Sequence, residues 1–283
     1  MSKPSDNRLV RCFAERRAAG KRTLVPFITA GYPDLEATEA LLGDFAPRGV
    51  SVCELGIPFS DPVADGPVIQ ASYTEALAAG ISSDAIFEMV RRFRRSAADL
   101  KSEISDLRSR MALVAMVSYS IVFRHGVEAY LSSAAEAGFD GLIVPDLPLE
   151  EAAVFEAAAS AAGLCNIMLV APTTPADRRL EIARHSRGFL YFISVAGITG
   201  ERKQLPESSL AAVAELRTHT DLPICIGFGV SDPQAVAHVC ETADGAIVGS
   251  AIVHRITDAK DKPREQLVRE VGDFVSALLK PIA

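Results

Sequence analysis

Eight short apolar runs divide the chain at near-regular intervals, beginning near Thr23, Val50, Met111, Gly141, Cys165, Phe189, Leu222 and Gly245. Each is too short for a buried helix and most end in Gly, Pro, Ser or Thr, so they read as strands. Several, such as TLVPFITA from Thr23, are apolar at both parities. That pattern suits parallel strands covered on both faces rather than an antiparallel sheet with one wet side. Helical patterns fill the gaps: Asp34 to Phe45, Ile81 to Arg108, Val127 to Ala137, Leu149 to Ala162, Ala176 to His185, Pro206 to Thr218 and Asp232 to Thr242.

Start-to-start spacings of about 23 to 33 residues fit βα units. The span of about 61 residues between the second and third runs must hold an extra loop or helix. Eight parallel βα units predict an α/β fold, a closed (β/α)8 TIM barrel, as a single domain over residues 1–283. An open doubly wound sheet would carry a Gly-rich GxGxxG turn after its first strand, and Gly31-Tyr32-Pro33-Asp34 is not one. The segment Asn7 to Ala19 reads as an extra N-terminal helix over the closed end of the barrel, and Lys262 to Leu279 as the last helix. The run Arg91-Arg92-Phe93-Arg94-Arg95 lies within a helical pattern flanked by acids and reads as a solvated helix face.

A net charge of −7 disfavours nucleic acid or an anionic membrane as a partner, so an anionic ligand must be held by local donors. Five cysteines without a CxxC pair read as reduced, buried thiols. No apolar run approaches membrane-spanning length and the first residues lack a signal pattern, so the expected location is the cytoplasm. The five histidines form no metal-binding set, and Ser118, Ser120 and Ser194 lack a nucleophile-elbow context.

In such a barrel the chemistry belongs at the C-terminal ends of the strands. Glu54 is a carboxylate inside the otherwise apolar second run; a buried charge there has either a structural partner or a chemical role. The next loop, PFSDPVADGP from Pro58, is stiffened by prolines and presents Asp61 and Asp65, either as working acids or as turn residues. Tyr191 in the sixth run reads equally as a core residue or as a hydroxyl aimed into the barrel mouth. The seventh and eighth runs end in GFGVS and GSAIV, around Gly229, Gly249 and Ser250, and the last leads into a short helix. Backbone N–H groups there favour phosphate over a mere pair of tight turns. The connection beginning VAGITGER from Val195 has two glycines that could hinge a lid.

Taken together, VPFITAG from Val25, ELGIPFSDPVADGPVIQ from Glu54, GLIVPDLPLEE from Gly141, APTTP from Ala171, GITG from Gly197, GFGVSDP and GSAIV resemble the tryptophan synthase alpha subunit family over almost the full length. The resemblance implies reversible retro-aldol cleavage of indole-3-glycerol phosphate to indole and glyceraldehyde 3-phosphate, with no cofactor in this subunit. It also implies a beta subunit partner, carrying pyridoxal phosphate and receiving indole through a tunnel, in an alpha2beta2 heterotetramer. Residue by residue, it implies Glu54 as the acid–base, Asp65 as the acceptor for the indole N–H and Tyr191 near the reacting side chain. Phe27 is implied to line the indole pocket, Thr199 to organise the aspartate from the lid, and Gly200, Gly229, Gly249 and Ser250 to bind phosphate. Three departures are visible: Ser118-Tyr119-Ser120-Ile121 stands where the family commonly has a Tyr-Asn pair, in a loop expected to contact the beta subunit; the lid begins Val195-Ala196-Gly197 where an Arg, Ser or Thr is frequent; and the helical segment before the third run is longer than usual.

Overall fold

The computed structural model describes residues 7–62, 65–99, 103–193, 207–227 and 229–283. Its strands are β1 Thr23–Thr29, β2 Val52–Gly56, β3 Ala112–Met116, β4 Gly141–Ile143, β5 Cys165–Ile167, β6 Leu169–Val170, β7 Leu190–Ile193, β8 Ile224–Gly227 and β9 Gly245–Val248. They form one sheet, all pairings parallel, in the order β5-β4-β3-β2-β1-β9-β8-β7-β6. The two ends of that order, β5 and β6, are halves of one apolar run separated by Met168 alone. The sheet therefore closes on itself, and the nine segments make the eight staves of a (β/α)8 TIM barrel. Met168 breaks the ladder because its N–H donates to the Ser186 hydroxyl oxygen at 3.1 Å, while its carbonyl still accepts from Tyr191 N at 3.0 Å.

Every residue of β1, β2 and β3 is buried, as a sheet wrapped by helices requires. The helices start where the sequence supplies caps. Asp34 accepts from Ala37 N at 2.6 Å before Leu35–Phe45, and Asp232 accepts from Ala235 N at 2.9 Å before Pro233–Thr242. Gly138, at φ +107°, ends Val127–Ala137 in the left-handed conformation open to glycine.

The long span between β2 and β3 holds helices Pro67–Ala78, Ser83–Asp99 and Glu103–Arg110. The first is the extra element the spacing demands. The single pattern expected from Ile81 to Arg108 becomes two helices. A further helix, Tyr119–His125, replaces the loop expected after β3: Ser118 caps it, and Asp146 accepts from both Ser118 Oγ at 2.8 Å and Tyr119 N at 2.7 Å.

The expected N-terminal helix is Arg8–Ala18, and it covers the closed end of the barrel. Its buried Phe13 packs on Phe189 with ring centroids 5.4 Å apart. Two buried aspartates bolt its ends. Asp140, just before β4, accepts from Arg8 Nε at 2.8 Å, Arg94 Nη2 at 3.2 Å and Leu113 N at 2.9 Å. Asp244, just before β9, accepts from Arg17 Nη2 at 3.4 Å, Arg217 Nη2 at 2.8 Å and Ile224 N at 2.9 Å. Each acid thus satisfies a strand-end N–H and arginines from two helices at once.

Arg94 corrects the reading of its basic run. Arg91, Arg92 and Arg95 pair with Glu88 and Glu39 at the surface, but Arg94 is turned inward and donates also to the carbonyls of Gly138, Arg108 and Met111. It shares the helix stripe of buried Val90 and Phe87, one and two turns earlier.

Candidate active site

Strand register sets the first relationship in the site. Phe27 pairs with Glu54, and Glu54 with Val114, so these three lie level on the same side of β1, β2 and β3. Two residues on, Gly56 faces the same way, and a Cβ there would stand 2.5 Å from both Phe27 Cζ and the Tyr73 hydroxyl. A Cβ on Gly249 would contact Phe27 Cδ1 at 3.4 Å and Ile69 Cδ1 at 3.5 Å. The Phe27 ring therefore spans from Gly56 on β2 to Gly249 just past β9. Across the barrel, the Tyr191 ring fills the space over Gly227 of β8.

Glu54 is 1% exposed, and neither of its carboxylate oxygens has a hydrogen-bond partner among the described residues. Burial, with the nearby Asp65 charge adding to it, pushes its pKa up to about 8. Of the two readings left open by the sequence, a structural partner is not what the described residues provide. Asp65 sits at the mouth of helix Pro67–Ala78, whose first residue is proline and whose cap is Gly66. Its N–H donates to Pro62 O at 3.1 Å, and its carbonyl accepts from Gln70 Nε2 at 2.8 Å, which fixes the backbone. Its Oδ2 is buried without a partner among the described residues, and burial raises its pKa to about 6. Tyr191 is buried, and its phenol is held far above its ordinary pKa by desolvation and by Glu54 and Asp65. It therefore stays a neutral hydroxyl.

Towards the other side of the mouth, Gly249 caps the helix Ser250–Ala259 and Ser250 is exposed at its first turn. The first N–H groups of a helix lack internal partners, and its dipole favours an anion. Gly229, two residues past the neighbouring β8, is exposed at φ +77° with nothing among the described residues within 4 Å of where a Cβ would point. Thr199 and Gly200, with the whole connection 194–206, lie outside the described residues.

The family model for the tryptophan synthase alpha chain matches residues 13–278. The chain belongs to the tryptophan synthase alpha chain family. Relatives named tryptophan synthase alpha chain include one from Geobacter sulfurreducens, 44% identical over 98% of this chain and 99% of its own. Another, from Rhodopirellula baltica, is 43% identical over 95% and 96%. Among solved structures, a tryptophan synthase subunit alpha from Legionella pneumophila superposes with a TM-score of 0.84 at 34% identity, covering 98% of both chains. A Mycobacterium tuberculosis tryptophan synthase chain matches with a TM-score of 0.84 at 30% identity, again covering 98% of both. As a tryptophan synthase alpha chain, the protein is a lyase that cleaves indole-3-glycerol phosphate in tryptophan biosynthesis, and its family implies a beta-subunit partner.

Sequence reasoning passed over Tyr73, which the fold brings into the same site as Glu54 and Asp65. A signal was present: Tyr73 lies four residues after Ile69 and three before Ala76, on the inward stripe of its helix. Among the described residues, no group of three or more His, Cys, Asp or Glu comes together as metal ligands, and no helix is long and apolar enough to cross a membrane.

Proposed function

We propose that Glu54 and Asp65 divide the cleavage between them, Glu54 as a proton-bearing acid and Asp65 as an ionised acceptor. The supporting observation is the pair itself: two buried carboxylates with unpartnered oxygens and raised pKa values, near 8 and near 6, so that around neutral pH one holds its proton and the other does not. Glu54 gives its proton to C3 of the indole, and Asp65 accepts the indole N–H and offsets the positive charge that develops on the ring. The Glu54 carboxylate then removes the proton from the adjacent glycerol hydroxyl. The C3–glycerol bond breaks, its electron pair returns to the ring, and indole and the aldehyde glyceraldehyde 3-phosphate are left, with Glu54 protonated again. An apolar enclosure strengthens both charge interactions.

In this reading Phe27 lines the indole pocket, and Tyr191 stays neutral beside the reacting side chain. Gly229, Gly249 and Ser250 bind phosphate through N–H groups and the serine hydroxyl, Gly200 adds to that site, and Thr199 orients Asp65. The steps need only protons and the C3-protonated indole ring as the electron sink within the substrate, so the reading assigns this subunit no cofactor; pyridoxal phosphate belongs to the beta partner. It further places the chain, residues 1–283, as one catalytic barrel domain in a cytoplasmic alpha2beta2 heterotetramer.

Indole release from indole-3-glycerol phosphate, measured with and without a cognate beta subunit, tests the assignment. Glu54→Gln lowers turnover by about 10²- to 10⁴-fold, the range for losing a general acid–base. Wild-type turnover in that variant overturns it, and full activity that no beta subunit increases points instead to a lyase that works alone.

A further inference from the structure

Tyr73 is fully buried, and its hydroxyl has no hydrogen-bond partner among the described residues. It rises from helix Pro67–Ala78 to lie against Gly56 and the Phe27 ring, and its own ring stacks at a tilt on Phe59, centroids 5.5 Å apart. Gly56 follows Glu54 by two residues on β2, hence on the same face of the strand. One enclosure thus holds a donor without an acceptor and, in Glu54 and in Oδ2 of Asp65, acceptors without donors. Unmade hydrogen bonds among buried groups are costly and call for a functional state that makes them.

We propose that Tyr73 is a positioning residue: when ligand fills the site, its hydroxyl donates to the Asp65 carboxylate and holds it ionised and turned towards the indole N–H. The inference rests on the Glu54 and Asp65 roles given above. Asp65 is the acceptor, because Glu54 enters the reaction carrying its own proton. The Asp65 charge also acts on the Tyr73 phenol more strongly than that of Glu54. With the Asp65 backbone fixed by Gln70 and Pro62, only its side chain has to turn. Among the described residues, the other titratable groups facing this enclosure are Tyr191 from β7 and Cys225 from β8, both kept neutral by burial. Phe59 packs on the Tyr73 ring and offers no competing acceptor.

Tyr73→Phe keeps the ring and removes the hydroxyl. A hydrogen bond to the charged form lowers an acid's pKa, so losing it raises that of Asp65, and the ionised form disappears at a higher pH. The acidic limb of kcat for indole-3-glycerol phosphate, which reports the ligand-bound enzyme, therefore moves up by about one pH unit. Turnover at pH 6 falls about tenfold, as for one charge-assisted hydrogen bond, while KM at pH 8 and the melting temperature hold. A profile superimposable on that of the wild type overturns the proposal. Asp65→Asn separates the two failures: if it is inactive while Tyr73→Phe behaves as wild type, only the Tyr73 role falls. If it keeps full activity and an acidic limb, the Asp65 role falls and the proposal with it.

Discussion

Phe27 and Glu54 are register partners on adjacent parallel strands, so an aromatic wall and a buried acid face the barrel axis at the same level. That level is closed by small residues. Gly56 admits Phe27 and Tyr73, and Gly249 admits Phe27 and Ile69. The site is packed from glycine outward, which makes backbone substitutions there as informative as changes to the acids.

Gly56→Ala would place a methyl 2.5 Å from Phe27 Cζ and from the Tyr73 hydroxyl, both held in a close-packed core. Overpacking of that kind costs about 1–3 kcal/mol. The expected outcome is a modest loss in urea stability together with a much larger loss of activity, because the rings displaced are those that line the site. Parallel denaturation and indole-release assays check it; full activity would show that the rings move aside freely.

Glu54 also shapes the stability of the protein. Its pKa is raised in the folded state, from 4.5 to about 8, so the folded chain keeps a proton that the unfolded chain has released. Stability therefore falls as pH rises through that window. Asp65 adds the same sign between 3.8 and about 6. Thermal melts from pH 5 to 8 should show a declining midpoint in the wild type and a flatter one in Glu54→Gln, whose amide does not titrate. Equal slopes would mean that Glu54 is ionised in the fold.

At the opposite end of the barrel, removing Asp140 strands Arg8, the largely buried Arg94 and the N–H of Leu113 together. Breaking a buried ion pair from one side costs about 3–5 kcal/mol. Asp140→Ala should lose that much by urea denaturation while keeping near-normal indole release at low temperature, since Asp140 lies before β4 and the acids lie at the other rim. A loss below about 1 kcal/mol would place the helix Arg8–Ala18 under other control.

The staves and most helices were legible because hydrophobic period and capping residues are local: Val127–Ala137 and Ala176–His185 lie where the pattern puts them. Glu54 was legible because a charge in an apolar strand is conspicuous. What escaped depends on rotation about a helix axis. Arg94 belongs to a charge run that reads as solvated, yet its place on the Phe87 and Val90 stripe turns it inward. Tyr73 carries no mark of its own in the sequence, and only the fold sets its hydroxyl against Gly56. The Ser118 to Ile121 segment reads as a loop because its helix is short and held by Asp146, 28 residues away from Ser118. The paired clamps of Asp140 and Asp244 join residues more than a hundred positions from Arg8 and Arg17, beyond any local pattern.

If one carboxyl is protonated while its neighbour is ionised, the pH dependence of kcat/KM for indole-3-glycerol phosphate must carry both titrations. The pair should give a bell whose acidic limb lies near 6, where Asp65 ionises, and whose basic limb lies near 8, where Glu54 loses its proton. A profile flat from pH 5 to 9, or one that keeps rising above pH 8, would contradict it.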